Sequence, residues 1–188
     1  MENTKRKQMT KAGIMTKTLA MALGPLIVLA VLSAFFSART IRIGMQDEAI
    51  KRLEDIVSGV SNSLEALGEG DYRLEGETVY KGDVNISEKL PYFESFAESS
   101  GIDITLFYGD TRRVTTLVDG ETGERMVGTQ AADKVIDKVL EGGEEYVDKK
   151  LQLNGQPYFC CYMPLANTDG SIVGMVFAGE PSSGIETY

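Results

Sequence analysis

Residues 18–38, TLAMALGPLIVLAVLSAFFSA, run for 21 residues without one charged side chain. At about 1.5 Å of rise per residue, a helix of that length crosses a hydrocarbon core of about 30 Å. Lys5, Arg6, Lys7, Lys11 and Lys17 precede it against the single anion Glu2. Cations flanking a span stay on the cytoplasmic side, so residues 1–17 read as a cytoplasmic basic tail and everything after Arg39 as outward-facing. A cleavable signal peptide has a shorter apolar stretch and a small-x-small cleavage site. Here Phe35 and Phe36 interrupt the small residues Ser33, Ala34, Ser37 and Ala38. A soluble helix is seldom apolar all round for so long. The expectation is an uncleaved anchor, with Gly24-Pro25 as a kink of the kind membrane helices tolerate.

Charge divides along the same boundary. The chain carries 19 Lys+Arg and 28 Asp+Glu, and removing the first 38 residues leaves 14 cations against 27 anions, a net of −13. Nucleic-acid binding depends on Lys and Arg neutralising phosphates, so no nucleic-acid partner is expected. The roughly 150 residues that remain suffice for one domain with a core of its own. Cys160 and Cys161 are adjacent. Neighbours on a strand point to opposite faces, which disfavours a bridge between them. The chain has no histidine; that removes the commonest general base and metal ligand, and with them any Cys/His zinc site. No Gly-rich phosphate loop is present, and Cys160 lacks a nearby base. The expectation is a protein that is not an enzyme and carries no cofactor.

From residue 39 to 67, Ile50, Leu53, Ile56 or Val57, Val60, Leu64 and Leu67 recur at helical spacing. This predicts a stalk helix, its stripe packed on its own domain or paired with a second copy as a homodimer. Gly68-Glu69-Gly70-Asp71 ends it. Residues 71–86 read as irregular with short extended pieces, and 87–99 as a short helix. Strands follow over 102–108 and 113–118 around a Gly109-Asp110 turn, with a short strand over 125–128. A helix over 131–140 is closed by Gly142-Gly143. A meander then occupies 145–153, 158–165 and 172–179, with Asn154-Gly155 as its strongest turn signal. The fold class is α+β: a long N-terminal anchor and stalk helix, then a five-stranded antiparallel sheet with flanking helices.

Residues 101–179 resemble the single Cache domain, the PAS-like extracytoplasmic sensor module of bacterial methyl-accepting chemotaxis proteins. The resemblance rests on the hairpin with Gly109, Asp110, Thr111 and Arg112, on Val127-Gly128-Thr129, on the helix ending at Gly142, and on Pro164-Leu165, Asp169-Gly170 and Val173-Gly174-Met175. It implies a sensor core over 68–181 and a tail over 182–188 leading toward a second membrane span that this sequence does not contain. It also implies a chemoreceptor's sensing domain; a sensor kinase or cyclase input domain and a stand-alone anchored protein are the alternatives. A pilin-like protein is disfavoured because Thr18, not Glu, stands five residues after Gly13.

The resemblance further implies small metabolites, organic acids or amino acids, bound between the sheet and the segments covering it. Arginine suits a carboxylate through its planar fork. Arg112 and Arg113 are the candidates; strand alternation lets at most one line the cleft, and Arg112 could instead hold the turn through Asp110. Thr115, Thr129, Tyr158 and Tyr162 complete the candidate set. Tyr158, Cys160 and Tyr162 share one strand face and Phe159, Cys161 and Met163 the other, so the first is the expected cleft wall. Many such domains place a lysine where Gln130 stands.

Overall fold

Alternating residues in the second half of the chain build a five-stranded antiparallel sheet, as a computed structural model describing residues 2–182 makes plain. Its strands are β4 (Asp103–Tyr108), β5 (Thr111–Thr115), β6 (Tyr146–Leu153), β7 (Gln156–Ala166) and β8 (Ile172–Pro181), in the order β5-β4-β8-β7-β6. The β6–β7 turn carries positive φ at both Asn154 (51°) and Gly155 (70°), the conformation a two-residue hairpin needs and Asn-Gly accepts most readily.

The chain divides into two units, Met1–Gly44 and Met45–Tyr188. A helix, α1 (Glu2–Glu65), occupies nearly all of the first and enters the second; Pro25 lies inside it without ending it. Within the first unit Leu26, Ile27, Val28, Leu29, Val31, Leu32, Phe35 and Phe36 are all exposed. By length and composition this helix can cross a membrane.

In the second unit, α1 lays Ala49, Ile50, Leu53, Val57 and Leu64 on one face of the sheet, against Ile104, Leu106, Val114, Phe159, Cys161, Val176 and Ala178. The apolar stripe is thus used within its own domain, and Ile56, Val60 and Leu67 are its partly buried margin. Helix α2 (Leu90–Ser100) joins this face through Phe93. A 3-10 turn (Ile86–Lys89) leads into α2, with the Ser87 amide donating to Asn85 Oδ1 at 2.9 Å. Gly101, left-handed at φ 71°, ends the helix.

Three elements depart from the sequence reading. Residues 71–86 are not irregular: β1 (Tyr72–Glu75), β2 (Thr78–Lys81) and β3 (Val84–Asn85) form a second, three-stranded sheet. Its strands are too short to show a period, and they are stabilised from outside, by Glu65 and Asn167. The expected strand over 125–128 reduces to one bridge, Val118 to Arg125. The helix over 131–140 is a single α turn, α3 (Asp133–Val135), continued by a wider π turn, Ile136–Glu141. The expected tail lies, beyond Ser182, outside the described residues.

Candidate functional site

The sheet face away from α1 is covered by the chain's own residues 116–142. Its floor is Phe107, Cys160, Tyr162, Met175 and Phe177, and its cover is Leu117, Ala131, Val135 and Val139, all buried. Alternation along β7 sorts the side chains as expected: Cys160 and Tyr162 belong to this floor, while Phe159 and Cys161 face α1. Both cysteines are free.

Arg112 enters this face from β5 and is only 6 % exposed. Its Nη1 donates to Thr129 Oγ1 at 2.7 Å and to the Gln130 carbonyl at 3.3 Å. The guanidinium carbon lies 5.0 Å from the centre of the Phe107 ring. No carboxylate pairs with it among the described residues, and its buried Nε has no hydrogen-bond partner. Burial lowers its pKa, since removal from water disfavours the charged form, and the neighbouring Tyr162 works the other way. Backbone bonds hold the cover to the same strand: the Arg112 amide donates to the Thr129 carbonyl at 2.9 Å, and the Gly128 amide to the Arg112 carbonyl at 2.8 Å.

The alternation used to separate Arg112 from Arg113 does not hold at this point. Phe107 pairs with Arg112 and Leu106 with Val114, so Arg113 is the extra residue of a bulge. Contacts separate the two arginines instead. Arg112 stacks on Phe107 and grips the cover, whereas half-buried Arg113 makes no side-chain hydrogen bond or ion pair among the described residues, and its Nε too is unpartnered. Nor does Arg112 hold the turn. Asp110 accepts from Thr111 Oγ1 at 2.7 Å and from Gln130 Nε2 at 2.9 Å, which also directs the Gln130 side chain to Asp110.

The remaining candidates scatter. Tyr162 is buried in an aromatic cluster, 5.1 Å from Phe177, 6.2 Å from Tyr146 and 6.4 Å from Phe107 between ring centres; burial pushes its hydroxyl pKa well up. Thr115 is fully buried and shares a 2.6 Å hydrogen bond with Thr105 Oγ1. Thr129 is exposed at the lip and donates to the Met126 carbonyl at 2.8 Å. Tyr158 is half-buried and donates to Asp103 Oδ2 at 3.4 Å; burial, with Asp103 beside it, pushes its pKa up to about 12.

Sequence reasoning missed Asp103. Its Oδ1 accepts from Thr116 Oγ1 at 2.8 Å, and burial raises its pKa despite hydrogen bonds from Thr116 and Tyr158 and the nearby charge of Arg125. The one legible signal was a carboxylate at an alternating position beside Ile102 and Ile104. Arg125 donates to the Thr115 carbonyl at 2.9 Å and pairs with Glu94, linking the cover to α2. At the other end of the site, Lys134 of α3 lies 5.1 Å over the Tyr146 ring.

The arrangement defines an α+β sensor fold of the Cache, PAS-like kind: a sheet with one face on a long helix and the other under its own loop. Residues 75–188 match the family pattern described as single cache domain 3, and the chain belongs to that family. The periplasmic sensory domain of the Campylobacter jejuni chemoreceptor Tlp1 is similar at 16 % identity, with a TM-score of 0.51 over 79 % of this chain and 60 % of that one. The sensor domain of the V. cholerae histidine kinase DctB shares 18 % identity, with a TM-score of 0.43 over 54 % of this chain and 39 % of that one. The chain therefore spans less than two thirds of the length of either structure. At these identities the likeness speaks for the fold alone. No curated protein matches the chain.

Proposed function

We propose that this chain is the extracytoplasmic sensing domain of a membrane receptor, binding a small carboxylate under the residue 116–142 cover. The observation that carries this reading is Arg112: a cation 6 % exposed, with no anionic partner among the described residues and an unsatisfied Nε. A buried charge is costly unless paired, and a carboxylate accepting from the guanidinium supplies the missing partner. Organic acids and amino acids, the class that the resemblance implies, carry that group. The net −13 of residues 39–188 does not oppose it, because the screening length at physiological salt is about 8 Å.

In this reading the receptor is a chemoreceptor, here taken to be of the methyl-accepting type; a chemoreceptor's sensory domain is what the fold resembles at a TM-score of 0.51. A histidine kinase input domain is the second reading. The head acts by binding and not by catalysis. The apolar run of α1 anchors it with the N-terminus in the cytoplasm, and two copies pair along α1.

The test is thermal unfolding of the full chain, in nanodiscs, with a panel of dicarboxylates and amino acids. A ligand present at about 100 times its Kd stabilises by about 2.7 kcal/mol. Arg112→Ala abolishes that gain if the reading holds. Binding that survives Arg112→Ala unchanged, or a panel without a single binder, refutes it.

A further inference from the structure

A cavity lies on the opposite side of the sheet from Arg112. It has a volume of about 650 Å³, within the range of small-molecule sites. One wall is α1 (Asp55, Ile56, Gly59, Val60, Ser63, Leu64, Leu67), the other is Lys89 at the end of the 3-10 turn with Tyr92, Phe93 and Phe96 of α2, and Ile104 is the floor. We propose that this groove binds a small organic ammonium ion with an apolar body, the amine on Asp55 and the body against Tyr92 and Phe96.

Asp55 is exposed at the lip and makes no hydrogen bond or ion pair among the described residues. By contrast Glu65, further along the same helix, is engaged by Lys81 and Tyr72. A carboxylate left unpaired beside apolar walls is complementary to a cation that brings its own apolar surface. Among the described residues Tyr92, at 65 % exposure, is the most exposed large apolar side chain beyond the membrane-length run. Its ring and that of Phe96 supply area for a flat or aliphatic body, and aromatic faces favour nearby cations. Lys89 stands on the α2 wall and repels a second amine there, so the ammonium is held to the α1 wall. The same lysine disfavours a dication.

Gly59 is the opening in the α1 wall. A Cβ placed on it meets nothing within 4 Å, so this helix position accepts a side chain that grows into the groove. Leucine there also has the better helix propensity, which keeps Gly59→Leu folded.

The experiment titrates the full chain in nanodiscs of neutral lipid with phenethylamine, phenethyl alcohol and 3-phenylpropionate, read by ligand-observed NMR. The expected result is saturable binding of the amine at millimolar concentration and none of the anion. Asp55→Asn weakens the amine about tenfold, the loss of one exposed charge-assisted contact. Gly59→Leu abolishes binding while the thermal transition is kept or raised, and Arg112→Ala leaves it unchanged, which separates this site from the carboxylate site proposed above. Amine binding lost in Arg112→Ala but retained in Gly59→Leu would place the ligand under the loop and overturn the inference. So would equal binding of the alcohol, preference for the anion, or a groove occluded by a second copy, seen as amine binding that falls as protein concentration rises.

Discussion

Arg52 Nη2 donates to both carboxylate oxygens of Glu180 at 2.6 Å, joining α1 to the last strand across 128 residues of sequence. Glu180 has a side chain only 11 % exposed, whereas that of Arg52 is 54 % exposed. The two ends of the domain's chain meet at this pair, so any displacement of β8 is felt by α1.

The asymmetry of exposure sets the cost of breaking it. Arg52→Ala strands a nearly buried carboxylate and is expected to destabilise by about 1–2 kcal/mol, below the cost of a fully buried pair. Glu180→Gln releases a half-exposed arginine to water and costs less than half as much. Urea denaturation of both variants and of the double variant measures the difference. Equal losses would show that burial at Glu180 is not what matters.

Asp103 makes stability depend on pH in a stated direction. A carboxyl whose folded-state pKa lies above its unfolded value binds its proton more tightly when folded. Its contribution is therefore most favourable below the ordinary value of 3.8 and is lost as pH rises through the raised folded value. Asp103→Asn keeps an acceptor for Thr116 and removes the titration. Over that window the variant gains stability relative to the parent as pH rises, and denaturant midpoints across a pH series check it. A constant difference would mean that Asp103 titrates normally.

Lys81 is 3 % exposed, with its ammonium 2.7 Å from Glu65 Oε2 and 4.2 Å from the centre of the Tyr72 ring. Removing Glu65 leaves that ammonium buried against the ring, without a direct ion pair and with only the charge of Asp71 beyond it, so Glu65→Ala is expected to cost about 3 kcal/mol. Lys81→Met, which keeps the volume and deletes the charge, is expected within about 1 kcal/mol of the parent. Thermal unfolding distinguishes them; comparable losses would show that Lys81 contributes mainly by packing.

Pairing along α1 must use residues outside the buried stripe; Ile41, Ile43 and Met45 are exposed on the helix before the domain's core, and Ile41 and Met45 lie one turn apart on one side of it. Ile41→Cys and Met45→Cys are expected to crosslink between copies in membranes. Cys160 and Cys161 do not interfere, because both are buried and burial pushes the Cys160 thiol up to about 12. Absence of crosslinks at both positions, and at Gly44→Cys between them, would refute a dimer through this segment.

The features legible beforehand were those written in local pattern. The uncharged run set a membrane-length helix because hydrocarbon thickness and helix rise leave little choice. The meander with Asn154-Gly155, and the sorting of Cys160 from Cys161, followed because alternate residues of a strand must face opposite ways. Arg112 was nameable as a cation beside the turn, but its lack of any anionic partner was not. The three-stranded sheet over residues 72–85 was hidden because its strands are shorter than the period that would reveal them. The bulge at Arg113 and the π turn over 136–141 defeat any reading that counts by two or by 3.6.

What the sequence determined by itself was the course of the longer helices and strands and which of their faces are apolar, since backbone geometry and hydrophobic periodicity act within a few residues. Tertiary structure alone decided that Asp103 is half-buried beside Thr116 and Tyr158, that Arg52 meets Glu180, and that a groove opens between α1 and α2. Those facts depend on residues dozens of positions apart being brought within ångströms, and no short-range rule encodes such distances.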